Sequence, residues 1–199
     1  TLLQGLGLTE ADYRGDRFLD HPCELKGNHD ALALTRPEVV ADCHRRYLQA
    51  GADIIKTNSF TATRLAQADY RLEDLVVELN AAAARVARAT ADEFETPEWP
   101  RYVAGVLGPT NRTASLSPDV NDPGFRATDF AELSANYLEA ARALLDHGAD
   151  FILLETVFDT LNAKAAVWAL ARLSEERGAR VPLVISGTIT DASGRTLSG

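Results

Sequence analysis

The segment around residue 40 carries apolar side chains at helical spacing. Thr35 to Glu38 has the composition of a capping box, in which a Thr hydroxyl and a Glu carboxylate each satisfy a backbone amide at a helix start. Beyond it, apolar residues recur every three to four positions, at Val39, Val40, Cys43, Tyr47 and Leu48. Gly51 stands where a left-handed residue commonly ends a helix, and Ala52 to Ile55, a short apolar run with β-branched residues, follows. The pattern predicts a helix and then a buried strand.

The same order of helix, turn and apolar strand recurs downstream. Gly51-Ala52-Asp53 and Gly148-Ala149-Asp150 are equivalent points separated by 97 positions, which leaves room for two such units of about 48 residues each. Further predicted helices cover about 73–95, Phe130 to His147 and Leu161 to Arg177, and further predicted strands cover Arg101 to Leu107, Ala149 to Leu154 and Leu183 to Thr188. The chain therefore contains four units.

Alternation of buried strands with amphipathic helices requires parallel pairing through right-handed crossovers. Such pairing allows a doubly wound open sheet or a (βα)₈ barrel. No Gly-x-Gly-x-x-Gly follows a predicted strand, and four units in about 165 residues extrapolate to about 250 to 330 residues for eight, the size of a barrel. We predict an α/β fold, a (βα)₈ TIM barrel of which residues 1–199 form roughly half. An open sheet of four units is the alternative.

Composition narrows the class of partners. The chain has 20 Lys and Arg against 29 Asp and Glu, a formal net charge of −9 at pH 7. Without a positive field, binding to nucleic acid or to an anionic membrane is disfavoured. No apolar stretch approaches the ~20 residues that cross a bilayer, no leader pattern opens the sequence, and the 2 cysteines suit a reducing compartment. These features predict a cytoplasmic protein.

Polar residues follow each predicted strand, where parallel α/β folds place their working face. Glu155 ends an apolar run, so we expect its carboxylate to be partly desolvated and to require a cation or several donors to stay ionised. A substrate ammonium could serve, and an internal ion pair with Lys56 or Arg112 is the alternative. The stretch from 108 to 127 has no periodicity and is rich in Pro, Asn, Asp and Ser, which is typical of a functional loop, although turn chemistry alone explains such a composition equally well.

The sequence has no recognisable metal-binding or nucleophile motif. His21, Cys23 and His29 are close in sequence but lack the spacing of a zinc site. Cys43 shares the apolar helix face and is predicted to fill the core, whereas His44 is predicted to lie on the helix surface. Residue chemistry alone therefore predicts a barrel enzyme that binds a small amine-bearing substrate.

Four longer phrases carry a family resemblance. They are Gly108 to Ser115, Ser117 to Pro123, Glu155 to Lys164, and Ser186 to Gly199. Together they closely resemble the homocysteine-binding domain of cobalamin-dependent methionine synthases, within the homocysteine S-methyltransferase family, and the resemblance covers essentially the whole chain. The Ser117 to Pro123 phrase separates this group from betaine- and S-methylmethionine-dependent homocysteine methyltransferases.

The resemblance implies a (βα)₈ barrel and a two-step methyl transfer. Cobalamin on a separate domain of the same polypeptide takes a methyl group from 5-methyltetrahydrofolate and passes it to homocysteine held on this barrel. Zinc coordinates the homocysteine sulfur as a thiolate. Its three cysteine ligands are expected after Gly199, with no metal ligand or catalytic residue in this chain. The first strand is expected to end at Thr1, and further folate-binding, cobalamin-binding and reactivation domains are expected downstream. The fragment alone is then expected to be inactive.

Matching residue by residue, the resemblance implies that Glu155 holds the homocysteine ammonium. Strand-end wall residues are expected at Thr57, Asn58, Phe60, Asn111, Ser186 and Thr188. Lys56 departs from the pattern, because relatives usually carry Glu at that place. Two alternatives to the methionine synthase assignment are a cobalamin-independent homocysteine S-methyltransferase and a non-catalytic ligand-binding barrel.

Overall fold

Four strands pair in parallel, each with the next along the chain. They are β1 (Ile54–Lys56), β2 (Tyr102–Leu107), β3 (Phe151–Val157) and β4 (Leu183–Gly187). This computed structural model describes residues 2–198, so the strand end expected at Thr1 lies outside the described residues. The strand order never reverses, as it would in a doubly wound sheet, and this agrees with a segment of a barrel wall.

Helices precede the first strand and connect each strand to the next. The helices are α1 (Leu2–Gly5), α2 (Glu10–Arg14), α3 (Leu32–Thr35), α4 (Pro37–Gln49), α5 (Arg64–Gln67), α6 (Val76–Asp92), α7 (Phe130–Asp146) and α8 (Thr160–Arg177). The helix ends predicted at Gly51 and Gly148 are confirmed, because both glycines have the positive φ of a left-handed residue, 96° and 122°. Among residues 2–198, no helix has the length and apolar character that crossing a bilayer requires.

The two faces of the sheet have different environments. Alternate strand residues, among them Val103, Leu107, Ile152 and Leu154, are buried against α7 and α8 in the main apolar core. The intervening positions point to the opposite face, which is the interior face of the barrel wall and includes Lys56 and Glu155. Both charged residues therefore share one face of the sheet.

Three predictions about the first unit are wrong in detail. Thr35 belongs to α3 and donates its hydroxyl to Ala31 O (3.3 Å), so it does not form a capping box with Glu38. The inward stripe of α4 is Val40, His44 and Leu48, while Cys43 is half-buried and Tyr47 is exposed. His44 is thus a core residue, because contacts with the rest of the fold rotate α4 away from the orientation that its apolar residues suggest.

Strand β3 is longer than predicted and irregular. Leu154 pairs with Ile185 but Val157 pairs with Gly187, so two residues of β3, Glu155 and Thr156, stand opposite one residue of β4. Thr156 has φ 60°, a conformation that is strained for a β-branched residue. The irregularity occurs at the residue to which sequence reasoning assigned substrate binding.

Candidate functional site

A cavity of about 800 Å³ opens at the carboxyl ends of β1 and β3. Four residues predicted for the site line it together: Thr57, Asn58, Phe60 and Glu155. The other three do not line it. Asn111 donates to Asp69 Oδ2 (3.0 Å), Ser186 is exposed on β4, and Thr188 donates its amide to Val157 O (2.8 Å).

The charged centre of the cavity is an ion pair across the sheet. Lys56 Nζ donates to Glu155 Oε1 at 2.6 Å, and the two side chains are 52% and 23% exposed. This is the internal ion pair that the sequence left open as an alternative for Glu155. Arg112, the other candidate partner, lies 3.8 Å from Glu132 instead. The Glu155 carboxylate thus lies beside a cation and is partly accessible from the cavity.

Two buried hydroxyls after β1 shape the cavity wall. Thr57 Oγ1 accepts from Val106 N (2.9 Å) and lies 2.7 Å from Ser59 Oγ, which donates to Val106 O (2.9 Å). These bonds extend the β1–β2 pairing beyond the last strand residue, because side chains replace the missing backbone partners. The Thr57 hydroxyl is therefore held within the cavity wall and helps to fix its shape. Ser59 was missed by sequence reasoning, although it lies in the same polar run.

His29 also lines the cavity, far from the strand ends in sequence. Asn58 Nδ2 donates to His29 O (2.6 Å), and Tyr13 Oη lies 2.7 Å from His29 Nδ1. Burial lowers the pKa of the His29 imidazole, so the ring is neutral at pH 7. His29 is not among the site residues predicted from the sequence, and no local signal could have shown that it contacts Asn58.

The neighbouring carboxyl group, Asp30, is buried and fixes the chain after Phe60. It accepts from Thr61 N (2.9 Å) and Thr61 Oγ1 (2.5 Å), and Gln67 Nε2 lies 3.4 Å away. Burial raises the pKa of Asp30 to about 6, against the effect of these hydrogen bonds. The network ties the segment that contains Asn58 and Phe60 to the turn around Asp30.

The first half of the loop between β2 and α7 is held in place at its start and at its end. A Cβ on Gly108 would lie 2.1 Å from Phe60 O, so only glycine permits this close approach of two backbones. Further along, Asp159 accepts from Ser115 N (3.1 Å) and Ser115 Oγ (2.8 Å), and Asn162 Oδ1 accepts from Ala114 N (2.9 Å). The segment lacks helix and strand as predicted, but these contacts order it.

The chain matches known proteins along its full length. Residues 1–199 match the family described as homocysteine S-methyltransferase. The chain belongs to the homocysteine S-methyltransferase family. This confirms the family expected from the motifs.

Solved structures of one family member have the same fold. The homocysteine methyltransferase MmuM from Escherichia coli, in its metallated form, superposes with a TM-score of 0.71 at 25% sequence identity, and its oxidized form with 0.70 at 23%. The two comparisons cover 100% and 99% of this chain but 63% and 62% of those chains. The predicted fold, part of a TIM barrel, is confirmed, and the chain spans less than two thirds of the length of these relatives.

Zinc, which the family resemblance implies, requires a cluster of thiolate or imidazole ligands. Within residues 2–198, no group of three or more His, Cys, Asp and Glu side chains is placed to hold a metal ion. Cys23 and Cys43 are both free and half-buried. The described residues by themselves therefore do not fit the zinc site of a homocysteine S-methyltransferase.

Proposed function

We propose that this chain forms part of the homocysteine-binding barrel of a cobalamin-dependent methionine synthase. In this proposal homocysteine binds in the cavity at the ends of β1 and β3, and its sulfur receives the methyl group of methylcobalamin. Other domains of the same polypeptide bind cobalamin and 5-methyltetrahydrofolate. The family resemblance assigns the zinc ligands to cysteines outside this chain, and within residues 2–198 no group of side chains is placed to hold a metal ion.

The observation that carries the proposal is the position of Glu155. Its carboxylate lies in a cavity lined by Thr57, Asn58 and Phe60, in a chain that belongs to the homocysteine S-methyltransferase family. A partly buried carboxylate binds an ammonium group well, because a charged hydrogen bond is strong where water is restricted. In the proposed complex, Glu155 accepts a hydrogen bond from the substrate ammonium, and the neighbouring wall residues shape the space for the rest of the amino acid.

The methionine synthase assignment rests on the motif resemblance, above all on the phrase Ser117 to Pro123. This phrase lies in the loop that follows Gly108, the residue that closely approaches Phe60 in the cavity wall. We expect the full-length protein to methylate homocysteine from methylcobalamin or from 5-methyltetrahydrofolate with cobalamin. Turnover with S-methylmethionine or betaine in the absence of cobalamin would instead identify a cobalamin-independent enzyme, and binding without turnover would identify a non-catalytic barrel.

Replacing Glu155 by Gln in the full-length protein tests the site. The substitution keeps the shape of the side chain but removes a charged hydrogen bond, which is typically worth about 1.5 to 3 kcal/mol. Homocysteine affinity, measured by isothermal titration, should fall about tenfold to a hundredfold. Methyl transfer from 5-methyltetrahydrofolate to cobalamin should not change, because it takes place on other domains.

Glu139→Gln is the matched control. Glu139 also forms an ion pair, with Arg64 at 3.1 Å, and its side chain is 29% exposed, but it lies on α7 away from the cavity. We expect this variant to bind homocysteine as the wild type does. Unchanged affinity in Glu155→Gln would remove Glu155 from the site.

A further inference from the structure

Both members of the Lys56–Glu155 ion pair can form further hydrogen bonds. Within residues 2–198, the carboxylate of Glu155 receives one hydrogen bond, from Lys56 Nζ to Oε1. Its second oxygen, Oε2, can accept from another donor. The Lys56 ammonium carries three N–H donors and uses one of them on Glu155. Each partner can thus bind a further group of opposite charge without breaking the pair.

Lys56 is also the one permanent cation of the cavity wall among the described residues. The two histidines on that wall, His29 and His44, are neutral at pH 7, because burial lowers both pKa values and brings that of His44 to about 4. Arg112 points elsewhere, towards Glu132. Any carboxylate that enters the cavity therefore has Lys56 as its charged donor.

An α-amino acid carries its ammonium and its carboxylate on the same carbon atom, so its two charges lie side by side like those of Lys56 and Glu155. With the ammonium on Glu155 Oε2 and the carboxylate on Lys56 Nζ, the four charges form a ring of alternating sign. The pair has no net charge, and neither does the zwitterion, so binding leaves no uncompensated charge in a partly desolvated site.

We infer that Lys56 binds the α-carboxylate of the substrate and makes the site selective for α-amino acids over amines. The inference rests on the proposed function, in which Glu155 binds the ammonium of the same molecule. Lys56 is then a specificity-determining residue that contacts substrate. The ion pair also positions Glu155 while the cavity is empty.

Two ligands that differ in the carboxylate alone test this role. We would measure the affinity of the full-length protein for L-homocysteine and for 3-aminopropanethiol, which is homocysteine without its carboxylate. Lys56→Met keeps much of the side-chain length and removes the charge. Homocysteine affinity should fall about three- to tenfold, because Lys56 is half-exposed and its charge is partly screened. Affinity for 3-aminopropanethiol should not fall, because that ligand has nothing for Lys56 to bind.

Two further variants complete the test. Lys164→Met, on the exposed surface of α8, should bind both ligands as the wild type does. Lys56→Arg should restore most of the homocysteine affinity, because it restores the charge. An equal loss for both ligands in Lys56→Met would show that Lys56 acts only by holding Glu155, and unchanged homocysteine affinity would show that it does not contact substrate. Either result overturns the inference while leaving Glu155 in place. Failure of the wild type to bind homocysteine would overturn the proposed function itself.

Discussion

The Asp159 side chain holds both the start of α8 and the loop between β2 and α7, and substitutions of Asp159 should distinguish these two roles. The side chain is buried and caps α8 by accepting from Leu161 N (2.9 Å) and Asn162 N (3.1 Å) at Oδ1. Oδ1 also accepts from Ser115 Oγ, while Oδ2 accepts from Ser115 N. In Asp159→Asn the amide oxygen can keep the bonds of Oδ1, but the NH₂ group then faces the Ser115 N–H. The loop should loosen while the helix cap remains.

The size of the effect follows from these bonds. Loss of one charged hydrogen bond to the loop corresponds to about 1.5 kcal/mol, and loss of a helix cap to about 1 kcal/mol. Asp159→Asn should therefore raise amide hydrogen exchange in the loop about tenfold, with exchange at the start of α8 unchanged. Asp159→Ala should speed exchange in both segments, because it removes all of the bonds.

Hydrogen exchange followed by mass spectrometry on the full-length protein measures both segments at once. Asp129→Ala is the matched control, because Asp129 caps α7 through Glu132 N (2.8 Å) and is exposed. It should affect the first turn of α7 alone. Exchange of the Ser115 peptide at the wild-type rate in Asp159→Asn would show that Asp159 does not hold the loop, and so would equal loosening of that loop in Asp129→Ala.

Two further predictions concern stability. Gly108→Ala places a Cβ 2.1 Å from a backbone oxygen and should destabilise the protein by about 2 kcal/mol or more. Gly187→Ala is the control and should change stability little, because nothing lies within 4 Å of the added Cβ. Equal thermal midpoints for the two variants would contradict this prediction. Asp30 and His44 should have opposite pH effects. The pKa of Asp30 is raised from 3.8 to about 6, so its contribution to stability is complete below pH 3.8 and is lost as the pH rises through about 6. The pKa of His44 is lowered from 6.5 to about 4, so its contribution is present above pH 6.5 and is lost as the pH falls through about 4. These effects offset each other in the wild type. In Asp30→Asn the thermal midpoint should therefore fall more steeply as the pH is lowered from 6 to 4. An unchanged pH dependence of the thermal midpoint would contradict a raised pKa for the buried Asp30 carboxyl.

The sequence by itself determined the repeating units and the class of fold. Helices α7 and α8 begin and end within one residue of their predicted bounds, because helical periodicity and the glycine that follows a helix are local signals. The long irregular loop and the polar strand ends were visible for the same reason. The position of Glu155 after an apolar run pointed to a residue that lines the cavity in the structure.

Only the tertiary structure decided which strand-end residues meet. Lys56 and Glu155 are 99 positions apart, and His29 and Asn58 are 29 apart, so their contacts depend on strand register and on how the turns pack. The burial of His44 was likewise set by the neighbours of α4 and not by its own periodicity. Sequence patterns report which face of an element is apolar, whereas the partner of a polar side chain depends on distances across the sheet, because hydrogen bonds and ion pairs require contact within a few ångströms.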